Sequence, residues 1–325
     1  MTTSSDVTQW LTTADRDADW SGVRACVAGL GSSGFAAADA LLRVGASVQV
    51  VESRQISDEG VTAERAQILQ TLGAEVRVGV PATERLTADL LVPSPGIPPH
   101  HQWLVNAQAG LIWSGEQLAW SLRPPGVPWL TVTGTNGKTT TVQLLADMLT
   151  AAGHRALAVG NIGVPLVEAI FADPRPDVLA VELSSFQLHF TTSISAHSSA
   201  LLNIAQDHLD WHGSLDRYTA DKSRVYHLTQ HTIVYNHDDA ITEELAEDAE
   251  VVEGCRAVGV TLGVPARSMF GVVDGVLVDR AFIADRASQA VEICAADDLA
   301  LTGGHNIHNV LVAAALARSF GASLS

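Results

Sequence analysis

The chain of 325 residues is 47% hydrophobic and 17% charged, enough to bury substantial cores, and its length suggests two domains. A net charge of −17 argues against nonspecific binding to nucleic acid or to an anionic membrane, so any ATP-like anion needs a site that is locally positive or rich in amides. Cys26, Cys255 and Cys294 lie far apart with no Cys-x-x-Cys pair, which speaks against a zinc site or disulfide framework and fits reduced thiols. The polar, acidic first 20 residues lack the basic start and apolar stretch of a signal peptide, and no apolar run approaches the ~20 residues of a membrane span. A cytoplasmic protein with no nucleic-acid partner and no membrane insertion is expected.

In chain order, residues 23–28 read as a strand, Gly29-Leu30-Gly31-Ser32-Ser33-Gly34 as a turn, 35–44 as a helix and 47–51 as the next strand. Residues 63–72, closed by Gly73, resemble a helix, and 75–78 another strand. Gly29, Gly31 and Gly34 match Gly-x-Gly-x-x-Gly, and Glu52 follows the next strand; this is the dinucleotide fingerprint, with the acidic group placed for a ribose hydroxyl. The same geometry would hold the diphosphate of a UDP-sugar, or serve only close helix–sheet packing. Ser53 and Arg54 favour a ligand, since an exposed guanidinium plane can stack on a base. Residues 90–92 run into Pro93-Ser94-Pro95-Gly96-Ile97-Pro98-Pro99, which is expected to be neither helix nor central strand. The best linker is Leu122-Arg123-Pro124-Pro125-Gly126-Val127-Pro128.

Beyond the linker, apolar residues 129–132 lead into Val132-Thr133-Gly134-Thr135-Asn136-Gly137-Lys138-Thr139-Thr140, and a helix-like stretch, 139–152, closes at Gly153. Strand, glycine turn and helix start together offer unpaired N–H groups and a positive dipole end to a phosphate chain. Lys138 would reach the terminal phosphates, and the Thr139 hydroxyl suits Mg²⁺. The spacing is Gly-x-x-Gly-Lys-Thr; Val132 stands where the longer motif has its first glycine. Further strands are expected near 156–159, 178–182, 199–203 and 232–236, with Ser214 capping a helix that runs to about 228. Residues 269–273 and 276–279 flank Asp274-Gly275, a hairpin signal. Residues 306–320 read as an alanine-rich helix. Alternating strands and helices imply a parallel α/β sheet in each half.

Several clusters in this half carry chemistry. Gly160-Asn161-Ile162-Gly163 is a turn after a strand. Glu182 ends an apolar strand and opens Glu182-Leu183-Ser184-Ser185-Phe186-Gln187-Leu188; a carboxylate at such a strand end is a good Mg²⁺ ligand, or else a capping or ion-paired group. Asn203-Ile204-Ala205-Gln206-Asp207-His208-Leu209-Asp210 again follows a strand. Lys222 shares a helix face with Tyr218, Val225 and Tyr226. Either it is solvated, or it is partly desolvated and so loses its proton readily enough to react with CO₂.

The phosphate loop, Gly-Asn-Ile-Gly, Glu-Leu-Ser-Ser-Phe-Gln-Leu, Asp-His-Leu-Asp, Tyr-x-x-x-Lys and Gly-His-Asn-x-x-Asn occur in one order, and together they resemble the Mur ligase family over essentially the whole chain. The resemblance implies an α/β protein with an N-terminal Rossmann-like parallel sheet domain over 1–122 and a P-loop-type central α/β ATPase domain over 123–325. It implies ATP on Thr135, Asn136, Gly137, Lys138, Thr139 and Thr140, with Asn306 on the adenine side and Asn236 and Asp238 as looser nucleoside contacts. His305, Asn306 and Asn309 match the Gly-His-Asn motif. Two Mg²⁺ sites are implied, one on Thr139 and Glu182, the other on His208 and an N-carbamylated Lys222; Lys138, His208 and Lys222 are the catalytic set. Ser32, Ser33, Glu52, Ser53, Arg54 and Gly96 match UDP-recognising positions, and Asn161 and His208 contacts to the acceptor. The implied substrates are UDP-N-acetylmuramoyl-L-alanine and D-glutamate, joined through an acyl phosphate by a monomer. The family carries a third, C-terminal domain; the resemblance implies that this domain and the last elements of the central one are missing here, so that the chain does not complete ligation. Two other readings stand beside it, a nicotinamide-dependent dehydrogenase and a noncatalytic UDP-sugar or ATP-binding module.

Overall fold

The computed structural model describes residues 4–57, 59–301 and 303–323. Its first half is α1 (Ser4–Leu11), β1 (Arg24–Ala28), α2 (Ser32–Arg43), β2 (Ser47–Glu52), α3 (Val61–Thr71), β3 (Glu75–Val78), β4 (Thr87–Pro93), α4 (Gln102–Val105), β5 (Gln108–Ile112) and α5 (Gly115–Leu122). The five strands form a parallel sheet in the order β3-β2-β1-β4-β5. After its exposed first residue β1 is buried throughout, as is β4; near-continuous apolar runs suit strands covered on both faces.

The second half holds β6 (Trp129–Thr133), α6 (Lys138–Ala151), β7 (Ala156–Gly160), α7 (Leu166–Ala169), β8 (Val178–Glu182), α8 (Ser185–His189), β9 (Ser198–Leu201), α9 (Leu209–His212) and α10 (Leu215–Ser223). It continues with β10 (Thr232–Asn236), α11 (Ala240–Glu247), β11 (Arg256–Val260), β12 (Met269–Val273), β13 (Val276–Asp279), β14 (Val291–Ala295) and α12 (Gly304–Phe320). These strands make a sheet ordered β14-β13-β12-β11-β10-β9-β6-β8-β7. An apolar cluster reaches from Leu41 and Leu118 to Trp129, Leu166 and Leu188, so the halves share a core. Among the described residues no helix is long and apolar enough to cross a membrane.

Four expectations need correction. Pro93 is the last residue of β4, a central strand, paired with Ala28; the ladder simply passes to Ser94, whose N–H donates to the Ala28 carbonyl at 2.8 Å. The first glycine turn is shorter than read, because α2 starts at Ser32 with Gly31 as its cap. The helix after Ser214 stops at Ser223 and tightens into a 3₁₀ turn over Arg224–Tyr226; its Ser214 cap is as expected, accepting from the Arg217 N–H. The second sheet is only partly parallel. β12 still runs parallel to β11, but β13 runs antiparallel to both β12 and β14, because Asp274 and Gly275, at φ +48° and +80°, turn the chain straight back after β12.

Candidate functional site

β6 lies between β8 and β9 in the sheet, so the loop leaving its carboxyl end meets the ends of both neighbours. Gly137 caps α6 at φ +87°, a conformation open to glycine, and a side chain there would collide with Asn309. The segment after β9 clamps the loop. Asn203 accepts from the Asn136 N–H at 2.9 Å and donates to the Asn136 carbonyl at 3.1 Å, and its own carbonyl accepts from the Thr135 N–H at 3.0 Å. Thr135 Oγ1 accepts from the Ala205 N–H and lies 2.9 Å from the Tyr218 hydroxyl.

Two ammonium groups converge on one carbonyl. Lys138 Nζ donates to the Gly134 and Thr135 carbonyls at 2.9 and 3.0 Å, and Lys222 Nζ donates to the same Gly134 carbonyl at 2.7 Å. Burial lowers the Lys138 pKa. Lys222 is only 2% exposed; burial first, then the charge of Lys138, brings its pKa down to about 7. It lies over the Tyr218 ring, 4.9 Å from the centroid.

Glu182, at the end of β8, is the hub of the other side. It accepts from the Thr139 hydroxyl at 2.9 Å and from the Asn161 amide at 2.8 Å. His208 stands further out, at φ +49°, with Nε2 3.3 Å from Asp207 and its ring 4.7 Å from Phe186. Among the described residues His208 has no hydrogen bond to Glu182 or Lys222. Thr139 Oγ1 and the Glu182 carboxylate are oxygen donors of the kind a hard cation takes, and Mg²⁺ commonly uses one or two carboxylates with substrate phosphates. No cluster of three or more His, Cys, Asp or Glu side chains able to hold a metal occurs among the described residues.

Beside the loop lies a cavity of about 450 Å³ lined in part by Asn136, Asn236, Asp238, His308 and Asn309. Asn306 sits in the first turn of α12, just ahead of His308 and Asn309, but is not among the lining residues. Asp238 accepts from the Thr261 hydroxyl and Leu262 N–H, and Asn236 donates to the Leu202 carbonyl, so both brace the cavity wall. Thr140 lies half-buried in the first turn of α6.

In the first half Glu52 reaches across to the glycine turn and accepts from the Leu30 N–H at 3.1 Å. Burial pushes its carboxyl up, but hydrogen bonds from the Arg54 side chain and backbone and from Leu30 outweigh this, and its pKa falls to about 2. Ser53 Oγ is 3.4 Å from the same carboxylate, and the Arg54 side chain is 72% exposed. Ser32 and Ser33 open α2, and Gly96 lies in the turn closed by the Ile97 N–H on the Ser94 carbonyl. A narrow crevice lined by Ser33, Pro95, Glu116, Gly160 and Leu166 joins the two halves. Asn203, Asp207 and Tyr218 brace or charge the second site without having been singled out for it. Asn203 and Asp207 fall within the stretch read after β9, and Tyr218 was read as an apolar neighbour of Lys222 and as the tyrosine of Tyr-x-x-x-Lys.

A glycine loop between a parallel strand and a helix, with an acidic neighbouring strand end, defines a phosphate-loop α/β architecture. The chain belongs to the Mur ligase family: the Mur ligase middle domain matches residues 132–317. It is 52% identical to UDP-N-acetylmuramoylalanine–D-glutamate ligase of Streptomyces avermitilis over 94% of this chain and 66% of that protein. The same-named proteins of Thermobifida fusca and Leifsonia xyli are 49% and 48% identical, over 92% and 94% of this chain and 64% and 62% of theirs. The chain thus spans just under two thirds of the length of these relatives. In fold it resembles the UDP-N-acetylmuramate:L-alanyl-gamma-D-glutamyl-meso-diaminopimelate ligase of Neisseria meningitides, with a TM-score of 0.55 at 17% identity, over 93% of this chain and 94% of that one. A murein peptide ligase from Psychrobacter arcticus gives a TM-score of 0.55 at 16% identity, over 94% and 66% of the two chains.

Proposed function

We propose that the protein is an ATP-dependent ligase that joins D-glutamate to UDP-N-acetylmuramoyl-L-alanine. The observation that carries this reading is the junction of Thr139 and Glu182 beside the Lys138 loop, in a chain 52% identical to a relative named for that reaction. A carboxylate is a poor electrophile, so ATP phosphorylates it; the amine of D-glutamate then attacks the acyl phosphate, leaving an amide, ADP and phosphate. Catalysis of such a transfer is mostly positioning and charge stabilisation.

In this reading Thr135–Thr140 form the ATP phosphate loop: Asn203 holds the Thr135 and Asn136 N–H groups, those of Gly137–Thr140 cradle the phosphates, and Lys138 exchanges its carbonyl partners for phosphate oxygens. Asn236, Asp238, Asn306 and Asn309 stand on the nucleoside side. Thr139 and Glu182 hold one Mg²⁺, and His208 with N-carbamylated Lys222 a second. When bound, the metal ions offset charge on the transferring phosphoryl group. A Lys222 pKa near 7 leaves neutral amine available to CO₂ at neutral pH. Ser32, Ser33, Glu52, Ser53, Arg54 and Gly96 receive the UDP portion, and Asn161 and His208 the acceptor end. The protein is read as a cytoplasmic monomer built of domains 1–122 and 123–325. Membership in the family leaves the dehydrogenase alternative without support.

Calorimetry tests this directly. UDP-N-acetylmuramoyl-L-alanine and a nonhydrolysable ATP analogue with Mg²⁺ are each expected to bind the chain. Binding of neither overturns the reading, and binding without turnover by the full-length enzyme reduces it to a ligand-holding module.

A further inference from the structure

Ser185, His212 and Asp221 stand at the spacing of a hydrolytic triad. His212 Nε2 is 2.9 Å from Ser185 Oγ, and its Nδ1 is 2.9 Å from Asp221 Oδ2. Burial removes the hydrolytic interpretation, since Ser185 is 2% exposed and the His212 side chain 0%, leaving an acyl group no path to the hydroxyl. A carboxylate only accepts, so Nδ1 of the neutral ring carries the hydrogen and Nε2 accepts from the Ser185 hydroxyl.

The three residues come from three elements, α8, α9 and α10. α9 is a single turn that opens at left-handed His208 and closes at left-handed Gly213. A β-carbon disfavours that conformation, and it persists only where the surroundings over-determine it. The His212 N–H donates to the His208 carbonyl at 3.1 Å, and Phe186 of α8 packs on His208, Trp211 and His212 with centroids 4.7, 4.8 and 5.6 Å away. Asp221 directly precedes Lys222, and its carboxylate also holds His189 Nδ1 at 2.9 Å.

We propose that His212 is a positioning residue. Bonded through both ring nitrogens, it fixes left-handed His208 and the Lys222 stretch of α10 relative to one another, although those two side chains share no hydrogen bond. Its importance for catalysis rests on reading His208 and Lys222 as groups of the metal–nucleotide site; the positioning itself does not.

Hydrogen exchange on the ligand-free chain separates the two. His212→Leu is expected to speed exchange over residues 205–213 about tenfold while α6 and β1 keep their protection. His212→Asn, whose amide N–H can replace Nδ1–H toward Asp221, should recover most of it. Unchanged exchange at 205–213, or an equal rise throughout the chain, overturns the proposal. A second measurement counts Mn²⁺ bound with a nonhydrolysable ATP analogue by electron paramagnetic resonance. His212→Leu should weaken one ion about tenfold and spare the other. Should the unaltered chain bind no Mn²⁺ with the analogue, the metal–nucleotide reading falls, and the exchange result still decides the positioning role.

Discussion

Gly29–Gly34 and Gly134–Gly137 both carry the chain from a parallel strand into a helix, yet opposite charges stand beside them. At the first turn the Glu52 carboxylate, held ionised by Arg54, takes the Leu30 N–H. At the second, the ammonium groups of Lys138 and Lys222 meet at the Gly134 carbonyl. The backbone plan offers amides in both places; the side chains decide what those amides receive. A carboxylate suits hydroxyl donors such as those of a ribose, while the Lys138 ammonium suits the phosphates themselves.

The strongest way to break this contrast is Lys138→Met, which is expected to weaken the ATP analogue by up to about two orders of magnitude, the scale of lost hydrogen bonding to a charged group, and to leave the sugar nucleotide unaffected. Isothermal titration with each ligand reads both effects, and equal losses would dissolve the distinction between the turns. Next come the glycines. Gly34→Ala would drive a β-carbon into the Gly29 carbonyl, and Gly137→Ala would force one into Asn309 at a positive φ. Each is expected to cost about 3 kcal/mol in urea unfolding, from overpacking joined in the second case by left-handed strain.

A third measurement sharpens the comparison at the seam between the halves. Glu116 is buried in the crevice, with one carboxylate oxygen accepting from Gln187 at 2.6 Å and the other without a partner among the described residues. Burial raises its pKa from 4.5 to about 7. A carboxyl raised on folding binds more protons in the native state, so stability falls as pH climbs from about 4.5 to 7 and stays low above that. Glu116→Gln should therefore match the parent near pH 4.5 and exceed it by about 3 kcal/mol above pH 7, followed by denaturant melts across that range. The smallest effect is expected from Glu52→Gln: roughly tenfold weaker sugar-nucleotide binding, with the ATP analogue unchanged.

Much of this was readable beforehand because the informative residues sit where a strand ends. β3, β8, β10 and the β12–β13 hairpin have the expected bounds, and Thr139 and Asn161, from two separate motifs, both donate to the Glu182 carboxylate. β5 was not readable: Gln-Ala-Gly-Leu-Ile has neither alternation nor a β-branched run, and its extended state comes from pairing with β4. α5 was hidden for a related reason, since its Gly-Glu-Gln start buries polar side chains against the other half. Asn203, His212 and Asp221 escaped as site residues because their roles arise only where separate segments meet. No spacing along one segment encodes a clamp between three.

α12 joins distant parts of the second half. Its Asn309 presses on Gly137, residues 310–317 are buried, and near its far end Arg318 is fixed to Asp279 at 3.2 Å and to the Phe282 carbonyl at 3.1 Å. Seventeen residues make a rod about 25 Å long, gripped along its length and at both tips. Such a strut ties the loop at Gly137 to Asp279, at the end of β13 away from its hairpin turn, through one rigid element.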